Sequence, residues 1–344
     1  MKDKKQEEYS SGFKYHDELI RQMTELCSTF EHRDLIEELI TTVVKLGLEK
    51  AENVDLKLLN RAMKELRCAF KMYSPYRGIK KVAVFGSARP KPDAIECLMA
   101  ESFSKKIVKK NYMVVTGSGP GVMKAANKGA GIENSFGLSI KLPFEQESNP
   151  YIDEEKLIMF KYFFTRKLMF IKETNATVIF PGGFGTLDEA VESITLFKTG
   201  KCAPRPIIFV EPEGFGYWGK LLDFMKTNML EYNYIGEDSL KLFSYVTSED
   251  EAIKIITDFY KIYHSIRRVR EYTVLRLNNR ISDEKLKFIK KDFKSLFIGG
   301  KIEQREALEP EIAKSEYPEL PRLVFKLDEI YFGRLRELID VINE

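Results

Sequence analysis

The chain has 344 residues, 44% of them apolar and 31% charged, which is the balance of an ordinary globular protein and a length that suits about two domains. Its 55 Lys and Arg against 52 Asp and Glu leave a formal net charge of +3, too balanced to argue for nucleic acid as a partner. The three histidines, His16, His32 and His264, lie far apart and away from every glycine-rich segment, which argues against a His-built metal site and leaves no base for a Ser-His-Asp or Cys-His pair.

Residues 1–78 read as helical and polar, with Leu35, Ile36, Leu39, Ile40, Val43 and Val44 at helical spacing and Leu58, Leu59, Met63, Leu66 and Phe70 repeating the pattern. The leading Met1-Lys2-Asp3-Lys4-Lys5 is followed by polar sequence without an apolar stretch, so no signal peptide is read. No apolar run approaches the ~18 residues of a membrane span. Cys27, Cys68, Cys97 and Cys202 form no CxxC pair, so reduced thiols in a cytoplasmic protein are expected. Ser74-Pro75 and Gly78 break the helical pattern.

From Lys81 the rhythm changes. Strands are predicted at Val82–Phe85, Met113–Thr116, Phe136–Ile140, Thr177–Phe180, Ile207–Val210 and Phe243–Val246, with helices near 93–109, 121–130, 162–174, 186–199, 217–231 and 249–264. Strands apolar on both faces and separated by helices predict a doubly wound parallel sheet, Rossmann-like, with ligands at the carboxyl ends of its strands. The basic run Arg267-Arg268-Val269-Arg270 reads as a solvated helix end, with contact to phosphates as the alternative. Beyond it, strands at Tyr272–Leu277, Lys301–Leu308 and Arg322–Leu327 and helices at Asp283–Phe293 and Phe332–Ile342 predict a small α+β unit of β-α-β-β-α order.

Four segments carry chemistry. Pro181-Gly182-Gly183-Phe184-Gly185-Thr186-Leu187-Asp188-Glu189 follows a strand and opens a helix, where glycines and unpaired helix amides suit a phosphate. Thr186 either caps that helix or meets the phosphate, and Asp188 and Glu189 are expected in its first turn. Thr116-Gly117-Ser118-Gly119-Pro120-Gly121-Val122-Met123 sits at a second strand end, with Gly119 and Gly121 as candidate contacts. It lacks the dinucleotide spacing and an acid after the next strand, and no GxxxxGK[ST] occurs, so neither NAD nor P-loop chemistry is read. Phe85-Gly86-Ser87-Ala88-Arg89 ends a third strand, and Gly86 and Ser87 are either ligand contacts or a plain turn. Tyr162–Phe170 is an apolar helix whose exceptions, Arg166 and Lys167, are either a solvated pair or an anion site. Three such turns on one sheet edge would line one crevice.

Together these segments resemble the Lonely Guy (LOG) family of phosphoribohydrolases, also labelled lysine decarboxylase-like. The resemblance covers residues of about 80–265 and rests on the family's PGGxGTxxE, its Arg-Lys helix at Phe164-Thr165-Arg166-Lys167-Leu168-Met169, and Gly119-Pro120-Gly121-Val122-Met123-Lys124-Ala125-Ala126-Asn127. It implies hydrolysis of the N-glycosidic bond of a nucleoside 5′-monophosphate to free base and ribose 5-phosphate, without metal or cofactor. Glu189 and Arg166 would be catalytic, and Gly86, Ser87, Gly119, Gly121, Lys167, Gly182, Gly183, Gly185, Thr186 and Asp188 would bind substrate. A homodimer or larger assembly is implied, with the Arg-Lys helix near its interface. Lys124 and Ser118 depart from the usual Glu and Gly, which bears on the base or ribose pocket. The alternative is a Rossmann-like module that binds a nucleotide or cofactor without turnover. A pyridoxal decarboxylase would need a lysine with an acidic ring partner, and the sequence singles out no such set. The expected organisation is a helical extension over 1–78, a catalytic domain over 79–266 and the α+β unit over 267–344.

Overall fold

The structure is a computed structural model that describes residues 10–25, 32–142, 148–313, 315–328 and 332–344; the N-terminal Met1–Lys5 and Cys27 lie outside them. The chain forms two units, Met1–Glu65 and Leu66–Glu344. The first holds helices α1 (Lys14–Glu25) and α2 (Arg33–Leu48) and most of α3 (Asn53–Tyr73). Asp17 in the first turn of α1 accepts from Ser10 Oγ (2.6 Å) and Ser11 N (2.8 Å), which fixes that helix start.

In the second unit, short apolar runs bounded by glycine and proline form a seven-stranded parallel sheet in the order β4-β3-β2-β1-β5-β6-β7. Its strands are β1 (Lys80–Phe85), β2 (Tyr112–Thr116), β3 (Ser135–Ile140), β4 (Leu157–Phe160), β5 (Ala176–Ile179), β6 (Ile207–Val210) and β7 (Ser244–Val246). Alternation along each strand feeds two cores. Val82, Val84 and Val114 pack one face against α4 (Ile95–Val108), α5 (Val122–Ala130) and α9 (Glu249–Phe259). Ala83, Phe85 and Phe136 pack the other against Tyr73 of α3 and Met169 and Phe170 of α6 (Phe163–Glu173). On that second face Ile207 and Phe209 also meet Ala190 and Phe197 of α7 (Phe184–Lys198) and Trp218 of α8 (Tyr217–Phe224). This is the doubly wound, Rossmann-like sheet of the sequence reading.

The remaining strands, β8 (Tyr263–Val269), β9 (Tyr272–Leu277), β10 (Phe297–Arg305) and β11 (Arg322–Leu327), form an antiparallel sheet in the order β10-β11-β9-β8. The helices α10 (Asp283–Asp292) and α12 (Phe332–Asn343) cover one face, and the short α11 (Glu309–Ile312) precedes β11.

Several expected elements are corrected. The strand β4 was not foreseen: it is a four-residue edge strand with only Ile158 and Phe160 buried. The basic run Arg267-Arg268-Val269 lies on β8, not on a helix end, because the helix stops at Phe259 and the chain turns at Tyr260. Arg270 then takes a positive φ of 54° in the β8–β9 hairpin, a turn position where Gly or Asn is the usual signal. With β8 added, the C-terminal order becomes β-β-α-β-β-α. Strand β10 starts at Phe297 instead of Lys301, because Gly299 and Gly300 (φ 71° and 65°) form a bulge inside it. The helix expected over 217–231 is regular only to Phe224 and continues as a wider π-type turn over Met225–Leu230.

Candidate active site

The strand order reverses at β1: the chain winds outward through β2, β3 and β4 and returns to β5 on the other side of β1. Side chains and backbone at such a switch point face a crevice at the carboxyl ends. The three glycine-rich turns follow β1, β2 and β5 and enclose a cleft of about 590 Å³, whose lining includes Gly86, Ser87, Gly119, Arg166, Gly183, Gly185, Thr186 and Glu189. Gly121, Gly182, Lys167 and Asp188 are not on that lining; Gly121 and Gly182 pack against Ser87, Lys167 pairs with Glu189, and Asp188 pairs with Lys167.

The turns are stitched to one another through Ser87. Its N–H donates to the Pro181 carbonyl (3.0 Å), and its own carbonyl accepts from Val122 N (3.0 Å). Gly121, at φ +64°, lies so close to the Ser87 carbonyl that a Cβ has no room. Gly182 is equally crowded, with a Cβ there falling 2.9 Å from Ser87 N, and its carbonyl accepts from the Tyr217 hydroxyl. Ser118 also takes a left-handed φ of 63° and is buried, which is the physical reason a glycine suits that position. Asn149 Nδ2 holds the loop by donating to the Ser118 carbonyl (3.2 Å) and to Asn127 Oδ1 (3.1 Å). Lys124 is exposed and does not border the cleft.

Helix α7 begins at Phe184 with Gly183 as its N-cap, one turn earlier than a Thr186 cap would give. Thr186 is therefore the third helical residue, and Asp188 and Glu189 fall in the second turn, not the first. A Cβ added at Gly183 or Gly185 meets nothing within 4 Å, so the helix's positive end and its unpaired amides are open to a ligand.

Across the cleft, α6 and α7 bring opposite charges together. Glu189, 5% exposed, has Oε1 at 3.6 Å from Arg166 Nη2 and 3.4 Å from Lys167 Nζ. Both distances are ion pairing without good hydrogen bonding. Lys167 meets Asp188 (2.9 Å) and Glu192 (2.8 Å) more closely. Arg166 lies over the rings of Phe163 and Phe170 (5.3 and 5.8 Å), and its buried Nε has no hydrogen-bond partner. Burial pushes the Glu189 carboxyl above its ordinary range, while Lys167 and Arg166 pull it back. Burial lowers the Arg166 pKa, opposed by Glu189. For Lys167 burial also disfavours the charge, but its bonds to Glu192 and Asp188 outweigh this and its pKa is raised. The arrangement thus offers a desolvated carboxylate, a guanidinium and an anion-suited helix end, all on one cleft.

Two contributors carry no motif. Tyr217 borders the cleft, and the fully buried Glu211 places it by accepting from the amides of Tyr217 (2.6 Å) and Trp218 (2.9 Å) and from the Tyr245 hydroxyl (2.7 Å). Trp218 is itself fully buried and donates from Nε1 to the Ile179 carbonyl (3.0 Å). Among the described residues no group of three His, Cys, Asp or Glu could hold a metal ion, and no helix is long and apolar enough to cross a membrane.

The sheet and its glycine-rich switch point define a Rossmann-like domain. Residues 121–256 match the family described as "Possible lysine decarboxylase". Three solved structures are similar over part of the chain. The protein titled TM1055, a structural genomics target, is 24% identical, covers 52% of this chain and 99% of its own, and has a TM-score of 0.38. The molybdenum cofactor binding protein from the phototrophic bacterium Rippkaea orientalis is 17% identical, with 52% and 96% covered and a TM-score of 0.38. The molybdenum cofactor carrier protein from Chlamydomonas reinhardtii is 18% identical, with 52% and 96% covered and a TM-score of 0.37. No curated protein matches the chain.

Proposed function

We propose that the protein hydrolyses the N-glycosidic bond of a nucleoside 5′-monophosphate, releasing free base and ribose 5-phosphate. One observation carries this reading: Glu189 and Arg166 converge on a cleft that also holds an open helix N-terminus. The 5′-phosphate sits at the Gly183–Gly185 amides, where helix dipole and glycine backbone favour an anion. Breaking the C1′–N bond builds positive charge on the ribose, which the Glu189 carboxylate stabilises while it orients the attacking water. Arg166, on the cleft lining, donates to the substrate, and Lys167 and Asp188 keep the α6–α7 pair in place. Anchoring the phosphate away from the reacting bond orients the sugar.

A lysine that forms a Schiff base needs a depressed pKa. Lys167, tied to three carboxylates, is shifted the other way, which weighs against a pyridoxal decarboxylase. The working form is proposed to be a homodimer. Phe164 and Leu168 on α6 and Phe184 and Val191 on α7 are about half or more exposed, an apolar face next to the cleft that suits a second copy. Light scattering should give twice the chain mass.

The direct test is incubation with AMP, GMP, CMP and cytokinin riboside monophosphates, with free base read by chromatography. Base release from at least one is expected. Folded protein that releases base from none overturns the reading, and tight retention of a nucleotide without release identifies a binding module instead.

A further inference from the structure

The C-terminal sheet has one face covered by α10 and α12 and a second face that carries an unusual row of charge. Arg305 on β10, Arg322 on β11 and Arg276 on β9 are direct cross-strand partners, three arginines side by side. Like charges directly opposite one another destabilise a sheet. Glu311 answers two of them: fully buried, it accepts from Arg276 Nε (2.9 Å) and Arg322 Nε (3.3 Å). Arg305, at the edge, is exposed and has no carboxylate partner among the described residues, and the same holds for Lys301 four residues earlier on the same strand.

These two cations border a cleft of about 520 Å³ on this face, together with Lys326, Tyr272 and the bulge residue Gly299. Lys326 is paired with Glu271 (2.8 Å), and Glu303 is the one carboxylate on the lining. Charge on an edge strand by itself only guards against strand addition. Here it comes with a concave volume, an aromatic wall in Tyr272, over whose ring Lys326 Nζ stands at 5.4 Å, and a bulge at Gly299, where an added Cβ would meet nothing within 4 Å, so a ligand can approach the backbone. The cleft shares no lining residue with the one at the parallel sheet.

We propose that this cleft is a second ligand site, which takes a phosphate-bearing small molecule: Lys301 and Arg305 bind the phosphates and Tyr272 stacks on a planar body. Arginine and lysine donate charge-assisted bonds to phosphate oxygens, and an aromatic ring supplies a sequence-tolerant platform for a base. The site stands independently of the reaction proposed for the other cleft.

Equilibrium dialysis of the full chain against inorganic tripolyphosphate and against ATP tests it. K301E/R305E should weaken tripolyphosphate binding about tenfold or more with an unchanged melting temperature, as loss of two charge-assisted contacts predicts. Should that double variant fold poorly, K301M/R305M removes the same donors without reversing charge and should weaken binding in the same direction. Arg166→Ala, in the other cleft, should leave this binding in place. ATP should bind about fivefold or more tightly than tripolyphosphate, and Tyr272→Ala should remove that advantage. No tripolyphosphate binding to the wild type, binding untouched in the charge variants, or binding lost only in Arg166→Ala overturns the site. An ATP advantage that survives Tyr272→Ala overturns the role of the ring.

Discussion

Two buried clusters of arginine and glutamate, one around Glu311 and one around Glu189, are built to opposite specifications. In the C-terminal sheet Glu311 is fully buried, and Arg276 and Arg322 approach it to 2.9 and 3.3 Å. Burial alone would raise its pKa, but the two guanidinium groups outweigh burial and hold the carboxyl below its ordinary range. In the cleft of the parallel sheet Glu189 is nearly as buried, yet its cations stand at 3.4–3.6 Å and its pKa is raised. One cluster is saturated and serves the fold. The other is loosely paired and borders a cleft, the setting in which perturbed groups mark a candidate site.

Substitutions in the two places should therefore do different things. Glu189→Gln is expected to cut base release by about 10²–10⁴-fold with the fold intact, read by chromatography and circular dichroism. A fully active Glu189→Gln enzyme would erase the functional half of the contrast. Arg322→Met leaves Arg276 as the cation that still pairs with Glu311, and chemical denaturation should show a loss of about 1–3 kcal/mol with unchanged turnover per folded molecule. Gly121→Ala should cost about 1–3 kcal/mol, because its φ of +64° and the nearby Ser87 carbonyl leave no place for a methyl group. The subtlest difference lies in pH. Removing the Lys167 charge by Lys167→Met should move the acid limb of kcat/KM to higher pH, since the cation favours ionised Glu189.

Stability should follow the same division. Glu311, with its folded pKa depressed, contributes stability above its unfolded value of ~4.3, and that contribution is lost as pH falls through the folded value. Glu189, with its folded pKa raised, contributes in the acid range and loses that contribution as pH rises. The stability of wild type minus that of the variant should therefore rise with pH for Glu311→Gln and fall with pH for Glu189→Gln. Parallel curves in both cases would mean the two clusters are alike.

How far the sequence anticipates this depends on the range of the interaction. The central strands β1, β2, β5 and β6 are legible because continuous apolar runs are needed where both faces are covered. The turns that meet in the cleft are legible from their glycines, and Arg166 and Glu189 from the motifs that carry them. The edge strands β4 and β8 are not, because half their surface faces water and their side chains need not be apolar. The hairpin at Arg270 has no turn residue to announce it. Tyr217 and Asn149 reach their places through contacts that span 35 and 31 residues, a partnership no local pattern encodes.

The chain has a single tryptophan, Trp218, sealed beneath the cleft wall with its ring 4.7 Å from that of Tyr217. Intrinsic fluorescence excited at the indole band therefore comes from this one place. A molecule settling beside Tyr217 changes that emission, whereas one held on the C-terminal sheet leaves it alone. The protein carries its own optical label for telling these clefts apart.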